Sequence, residues 1–479
     1  MYHDLVIRDG RVLTGSGEFR GDVAVDGEKI AALGHGLEGR EVVEAAGRLV
    51  LPGAIDGHVH MRTERPTFCY DDTFETGAVA AAFGGVTTII DQVQAEPGLA
   101  LEAELDTRMA LAEGLSAVDF TFHMNIREPS ATRLAEIDRI VARGIPSFKW
   151  FMAIPGWAVP DDFLLRGMFE VAERGGLSVI HAENQGVITE MRRRAAAAGQ
   201  RDMTRFTENY PAGTEAAAIA LAVAMTEQAG GPSLIYHNTC AEGVAAIRAG
   251  KERGVPVHGE ACLAWLTHTD EVYRGDQVAA LPFLVTPPIR DASHQAALWR
   301  GLALGDLDIV STDHAAVRLL PEEKARALAD SFGLDVAARP EGPDTLRDEA
   351  GNRLMPALPP GGLETRLALI HSEGVERGRL SPERWVETCC TGPARLFGLR
   401  EKGMLLPGYD ADIVIFDPEA RHRYTTAGLH SNTDYSVWDG WEAQGRVDRT
   451  YLRGHLLVDG ETYHGRRDMG RFVHRRPEG

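Results

Sequence analysis

An eightfold alternation limits the fold of this chain more than any other feature: short β-branched runs are separated by alanine-rich stretches of good helix formers. The runs read AIDGHVH, VTTIID, VDFTFH, IPSFKW, LSVIHAE, SLIYHNT, VPVHGE and LDIVSTD, with GAVAAAFGG and EAAAIALAVAMTEQAG typical of what lies between them. Strands joined through helices make parallel sheets that are buried on both faces. Eight such units predict an α/β fold, a (β/α)8 TIM-like barrel whose catalytic groups gather at the carboxyl ends of the strands. An open doubly wound sheet needs a glycine-rich phosphate turn after its first strand, and no GxGxxG stands there.

The two ends have another texture. Residues 1–52 and 403–462 are short strands broken by Gly and Asp-Gly turns, which predicts one small β-sandwich built from both chain ends. The barrel then occupies 53–402. Within it, 315–360 carries six prolines, many charges and no clear strand, too long for an ordinary connection and therefore read as a lid or an oligomer contact. The tail 463–479 is basic.

A formal charge of -20 makes nucleic acid and anionic membrane surfaces poor partners and leaves small molecules. Cys69, Cys240, Cys262, Cys389 and Cys390 are too few and too irregular for a disulfide framework. With no signal-like apolar stretch at MYHDLVIRDG and no run near the ~18 apolar residues that span a bilayer, a cytoplasmic location is expected.

The chemistry collects where a barrel would focus it. His58 and His60 are two residues apart in DGHVH and so point to one side of an extended chain. The fifth strand ends at His181, the sixth at His237, the eighth at Asp313 and the fourth at Lys149. Any one of these is commonly a structural residue. Their coincidence at one end of the strands predicts a metal site with the imidazole and carboxylate ligands that suit zinc-type ions.

Lys149 lies among Phe, Trp, Phe and Met in SFKWFM. Burial and nearby metal cations both disfavour an ammonium, so its pKa should fall and the neutral amine become available to carbon dioxide. The carbamate so formed is an anion whose two oxygens can bridge two metals. The alternatives are a lysine that snorkels to solvent or pairs with a carboxylate.

Nearly the whole chain resembles the amidohydrolase superfamily, specifically the dihydropyrimidinase/hydantoinase group with its allantoinase and dihydroorotase relatives. The stretches LVLPGAIDGHVH, FETGAVAAAFGGVTTIID, SFKWFMA, VIHAEN, YHNTCAEG, VHGEACLAWL, TPPIR, STDHA, GLETRL, GMLLPGYDADIVIFDP and DYSVWDGWEAQGRV carry the resemblance. It implies two divalent ions, zinc first with manganese, cobalt or iron as substitutes. His58, His60, carboxylated Lys149 and Asp313 would hold one, and Lys149, His181 and His237 the other. A metal-bridging hydroxide would open a cyclic amide, imide or ureide, with Asp313 passing the proton to the departing ring nitrogen. Backbone near Thr286 and before Gly362 would hold the ring. A homotetramer or homodimer is implied, with the basic tail 463–479 reaching a neighbouring subunit.

Two departures from the family bear on the substrate. Ile154 stands where dihydropyrimidinases and hydantoinases usually carry a tyrosine that steadies the oxyanion, and ALPPGGLETR lacks the asparagine usual before that turn. HVHMR matches the His-x-His-x-Arg of dihydroorotases, so Arg62 is expected to receive a substrate carboxylate. Allantoinase-like or dihydroorotase-like hydrolysis remains open as an alternative. So do a mononuclear deaminase, disfavoured by Lys149, and a non-catalytic scaffold, disfavoured by the presence of all six candidate ligands.

Overall fold

The computed structural model describes residues 2–337, 346–359 and 361–476. Five strands open the chain: β1 Tyr2–Thr14, β2 Gly17–Asp26, β3 Lys29–Gly34, β4 Glu38–Glu44 and β5 Leu49–Pro52. Eight follow at intervals, β6 Ala54–Val59, β7 Val86–Val93, β8 Asp119–Asn125, β9 Ser147–Phe151, β10 Leu177–His181, β11 Ser233–Ile235, β12 Val257–Cys262 and β13 Ile309–Ser311. They form one parallel sheet in chain order. A bridge between Val59 and His314, with the His60 amide donating to the His314 carbonyl at 2.6 Å, brings the last strand round to the first. Each of the eight predicted runs supplies one strand.

Burial explains the barrel. Every residue of β6, β7, β8 and β10 is buried, as expected of strands covered on both faces. Ile55, Ile90, Val179, Leu234, Tyr236 and Ile309 come from strands that are not all neighbours in the sheet, and they meet across the interior on Phe397 and Leu399. Gly57 is fixed by that plug, since a Cβ there would lie 2.3 Å from the Phe397 ring. Helices such as Phe74–Phe83, capped by Thr73 and Thr76 reciprocally, and Ala212–Ala229, ended by Gly230 at φ 71°, pack outside.

In the insert, β14 Leu320–Pro321 and β15 Leu354–Met355 pair antiparallel and frame the helix Glu322–Ser331. This corrects the expectation that no strand lies there. Residues 338–345 and 360 of the insert are outside the described residues. The closing strands are β16 Ile413–Arg423, β17 Glu442–Leu452, β18 His455–Asp459 and β19 Thr462–Tyr463. They join β1–β5 in a nine-stranded sheet in which β5 lies between β1 and β16. β1 pairs with β4 through Tyr2–Arg8 and with β5 through Arg11 and Val12, so the sheet bends about a core of Leu5, Ile7, Val23, Ile413, Ile415 and Tyr451.

The tail, described to Arg476, is bound to its own barrel. β9 pairs only with the later residues of β8, Met124 and Asn125, and Phe472 bridges Phe120 at the start of β8 instead. Arg475 is buried and donates to the Phe122 carbonyl and to Ser147. Residues 477–479 of the tail lie outside the described residues. All five cysteines are free thiols, and no helix among the described residues is long and apolar enough to cross a membrane.

Barrel and sheet meet on a buried ion cluster. Lys402 Nζ lies 2.7 Å from Asp119, 3.0 Å from Asp410 and 2.8 Å from Asp412, and Arg453 also pairs with Asp119. Burial alone would lower the Lys402 pKa, but Asp412, Asp119 and Asp410 raise it. The three carboxylates have the spacing of a metal site, yet Lys402 already supplies their counter-charge. Lys402→Met strands these carboxylates and should cost about 3–5 kcal/mol in urea unfolding. A loss below about 1 kcal/mol would show that the junction contributes little.

Candidate active site

The strand ends gather five of the predicted ligands into two adjacent groups, with Lys149 close by. His58 Nε2 and His60 Nε2 each lie 3.0 Å from Asp313 Oδ1. His181 Nδ1 lies 2.9 Å from His237 Nε2, and the His58 and His237 rings are 5.8 Å apart, which joins the groups. Lys149 comes up from β9 with its Nζ 3.6 Å from the centre of the Tyr236 ring, and Tyr236 stacks on His58 at 3.7 Å.

Lys149 is 2% exposed, so it does not snorkel, and among the described residues no carboxylate lies within ion-pairing distance of it. Burial brings its pKa down to about 7, with Glu260 and then Asp313 opposing the drop. An amine so placed has an accessible neutral form near physiological pH. His237 is driven well below the usual imidazole range by burial and then by His181 and Lys149. Against the effect of burial, Asp313 and Glu260 hold His58 up at about 9. Asp313 would be raised by burial, yet His58 and His60 hold it well below the carboxylate range.

This donor set fits divalent ions. His58, His60 and Asp313 present ligand atoms within 4.8 Å of one another. His237 Nδ1 is buried without a hydrogen-bond partner, and the His181 and His237 nitrogens face each other. Cys262 forms a similar group with His58 and Glu260, but burial, then Glu260, push its thiol pKa well up, which makes it a poor ligand.

Around the six stand groups that sequence reasoning passed over. Glu260, at the end of β12, lies 3.0 Å from His58 Nδ1 and accepts from the His237 amide at 2.8 Å. Glu183 lies 2.9 Å from His181 Nε2 and accepts from the Thr286 hydroxyl at 2.6 Å. Asp56 accepts from the amides of His58 and Thr312 and faces Arg366, which also donates to the carbonyls of Ile55 and Val310 across the closing strands. The signal for the two glutamates was legible in HAEN and VHGE: each is a strand-end acid as well placed as Asp313.

The four predicted substrate contacts fare differently. Thr286 is beside the cluster through Glu183. Ile154 is half-buried at φ 76°, an unusual conformation for a β-branched residue, and its amide donates to Gln185 Oε1 at 2.9 Å. Gly362 lies at a helix start: its carbonyl accepts from the Thr365 and Arg366 amides as the helix Arg366–Ile370 begins, and Gly361 before it abuts His314. Arg62 is turned outward. Its side chain is exposed and faces Glu64 at 3.7 Å, because the loop turns and sends Arg65 inward in its place.

Comparison with known proteins gives a consistent picture. The model of the amidohydrolase family matches residues 49–457. A D-hydantoinase of Streptomyces coelicolor is 37% identical, covering 98% of this chain and 97% of that protein. A D-phenylhydantoinase of Escherichia coli is 33% identical over 99% of this chain and 98% of its own length. The crystal structure of dihydropyrimidinase from Brevibacillus agri superposes with a TM-score of 0.90 at 30% identity, covering 99% of each chain.

Because Glu260 orients His58 and the His237 backbone together, Glu260→Gln should weaken retention of divalent metal by about 10–100-fold. Metal content after equilibrium dialysis against a competing chelator measures this, with circular dichroism checking the fold. Unchanged retention would reduce Glu260 to a packing role.

Proposed function

We propose, from the premise that this chain belongs to the amidohydrolase family, that it opens the ring of a cyclic amide, imide or ureide by hydrolysing a ring C–N bond at a pair of divalent ions. Cyclic amide hydrolysis is the chemistry named in the relatives, D-hydantoinase and dihydropyrimidinase. One observation carries the finer reading: a buried lysine, with no ion-pair partner among the described residues, shares the barrel mouth with four histidines and an aspartate and lies on the Tyr236 ring that stacks on His58.

In this reading Lys149 acts as its carbamate. His58, His60, Lys149 and Asp313 hold one ion, and Lys149, His181 and His237 hold the other, with zinc preferred for this ligand set. When bound, such a pair lowers the pKa of a shared water and polarises the scissile carbonyl. Asp313 accepts the proton of the attacking water on a carboxylate oxygen and delivers it to the departing ring nitrogen. Its left-handed backbone, φ 54°, and its contacts with His58 and His60 hold the carboxylate in place.

The protein's other residues orient and exclude. Glu260 and Glu183 fix the imidazoles from behind. Phe151, 5.5 Å from His181, and Tyr70, 5.5 Å from His60, wall off water on the two sides. The ring's amide edges are proposed to meet backbone near Thr286 and in the segment leading to Gly361. With Ile154 in place of a phenol, steadying of the oxyanion by the protein falls to backbone amides.

The test is ring opening of hydantoins and dihydrouracil by the purified protein, followed as loss of ultraviolet absorbance. Dipicolinate should abolish turnover and added zinc, manganese or cobalt should restore it. Asp313→Asn should lower kcat by about 10²–10⁴-fold. Full activity in the thoroughly chelated protein would sink the metal-dependent reading.

A further inference from the structure

The loop that follows β6 folds back on itself. The Arg65 amide donates to the Phe68 carbonyl at 2.7 Å and the Tyr70 amide to the Thr63 carbonyl at 3.1 Å, and Glu64 bridges Cys69. This turn leaves Arg62 facing solvent and presents Arg65 to the mouth. The Arg65 guanidinium lies 4.7 Å from the Trp157 ring centre and 5.8 Å from that of Tyr70, and it donates to Gln94 Oε1. Gln94 in turn lies 3.4 Å from His60 Nδ1. On its other side Trp157 packs on Phe151, which stacks on His181. Arg65 therefore spans the mouth, reaching the His60 side through Gln94 and the His181 side through Trp157.

Its charge sets it apart from its neighbours. Arg127, also over Trp157 at 4.4 Å, is paired with Glu96, and Arg62 has Glu64. Among the described residues no carboxylate lies within ion-pairing distance of Arg65, whose neighbours are the Gln94 amide oxygen, the Trp157 ring and Tyr70, whose hydroxyl hydrogen-bonds with it. These contacts hold the guanidinium plane and leave the remainder of its five-donor edge uncommitted. A planar fork held in this way matches a carboxylate in two parallel hydrogen bonds.

We propose that Arg65 is a specificity residue that receives a carboxylate borne by the substrate ring on a short arm, so that the preferred substrate is an anionic cyclic amide or ureide. This rests on the hydrolase reading above and adds the substituent's charge to it. The link through Gln94 sets the scale: the anion sits one side chain away from His60, the distance an arm of two or three carbons covers from a small ring.

The test compares two hydantoins of equal size, one with a 5-(2-carboxyethyl) group and one with the 5-(2-carbamoylethyl) amide, with metal-loaded enzyme. Wild type should favour the acid in kcat/KM by at least about tenfold, mainly through KM. Arg65→Leu should erase that ratio and Arg65→Lys should restore part of it. Equal use of acid and amide by wild type, or a ratio untouched in Arg65→Leu, overturns the assignment and leaves ring hydrolysis standing. Failure to open either compound, unsubstituted hydantoin or dihydrouracil would sink the hydrolase reading, and this one with it.

Discussion

The site depends on a cation that has nowhere to discharge. Lys149 is held in the barrel wall by its strand neighbours Phe148 and Trp150, both fully buried, and its Nζ meets the face of Tyr236 instead of a carboxylate. A full positive charge there would be paid for only by the π-face of one ring and by Asp313 and Glu260 at a distance. A lysine so placed is stable as a neutral amine or as an anion made from it. The second state, as proposed, would supply an anionic ligand beside the four histidines and Asp313 and make one centre of the two adjacent groups.

Closure of the barrel and construction of the site are the same event. The seam between β6 and the residues after β13 is pinned by Asp56, Arg366 and Thr312, and this seam holds His58 and Asp313. Asp313 and His237 both adopt left-handed backbone, at φ 54° and 35°. Conformations of that kind cost about 1–3 kcal/mol and persist where the surroundings over-determine them. Here Glu260 grips the His237 amide, and the His314 amide and carbonyl are tied to His58 and His60 next to Asp313. Shape is thereby imposed on the ligands before any ion arrives, which is what preorganisation requires.

Much of this was legible in the sequence because it is periodic or local. Eight β-branched runs can make a barrel only by closing, and HxH two residues apart must face one way. That the two chain ends build one β-structure followed from their shared strand-and-turn texture, although the expected sandwich is a single bent nine-stranded sheet. What was illegible depends on long-range geometry. Arg62 and Arg65 differ by three positions in one loop, and only the reversal at Arg65–Phe68 decides which of them faces the mouth. The docking of the tail follows from β9 starting late beside β8, a register effect that no composition reveals.

The central claim is that Lys149 carries carbon dioxide. Metal-loaded protein prepared with ¹³C-labelled bicarbonate should give a carbamate carbon resonance in its NMR spectrum, and Lys149→Met prepared identically should lack it. A wild-type spectrum with no such resonance, or one that persists unchanged in Lys149→Met, would contradict the account.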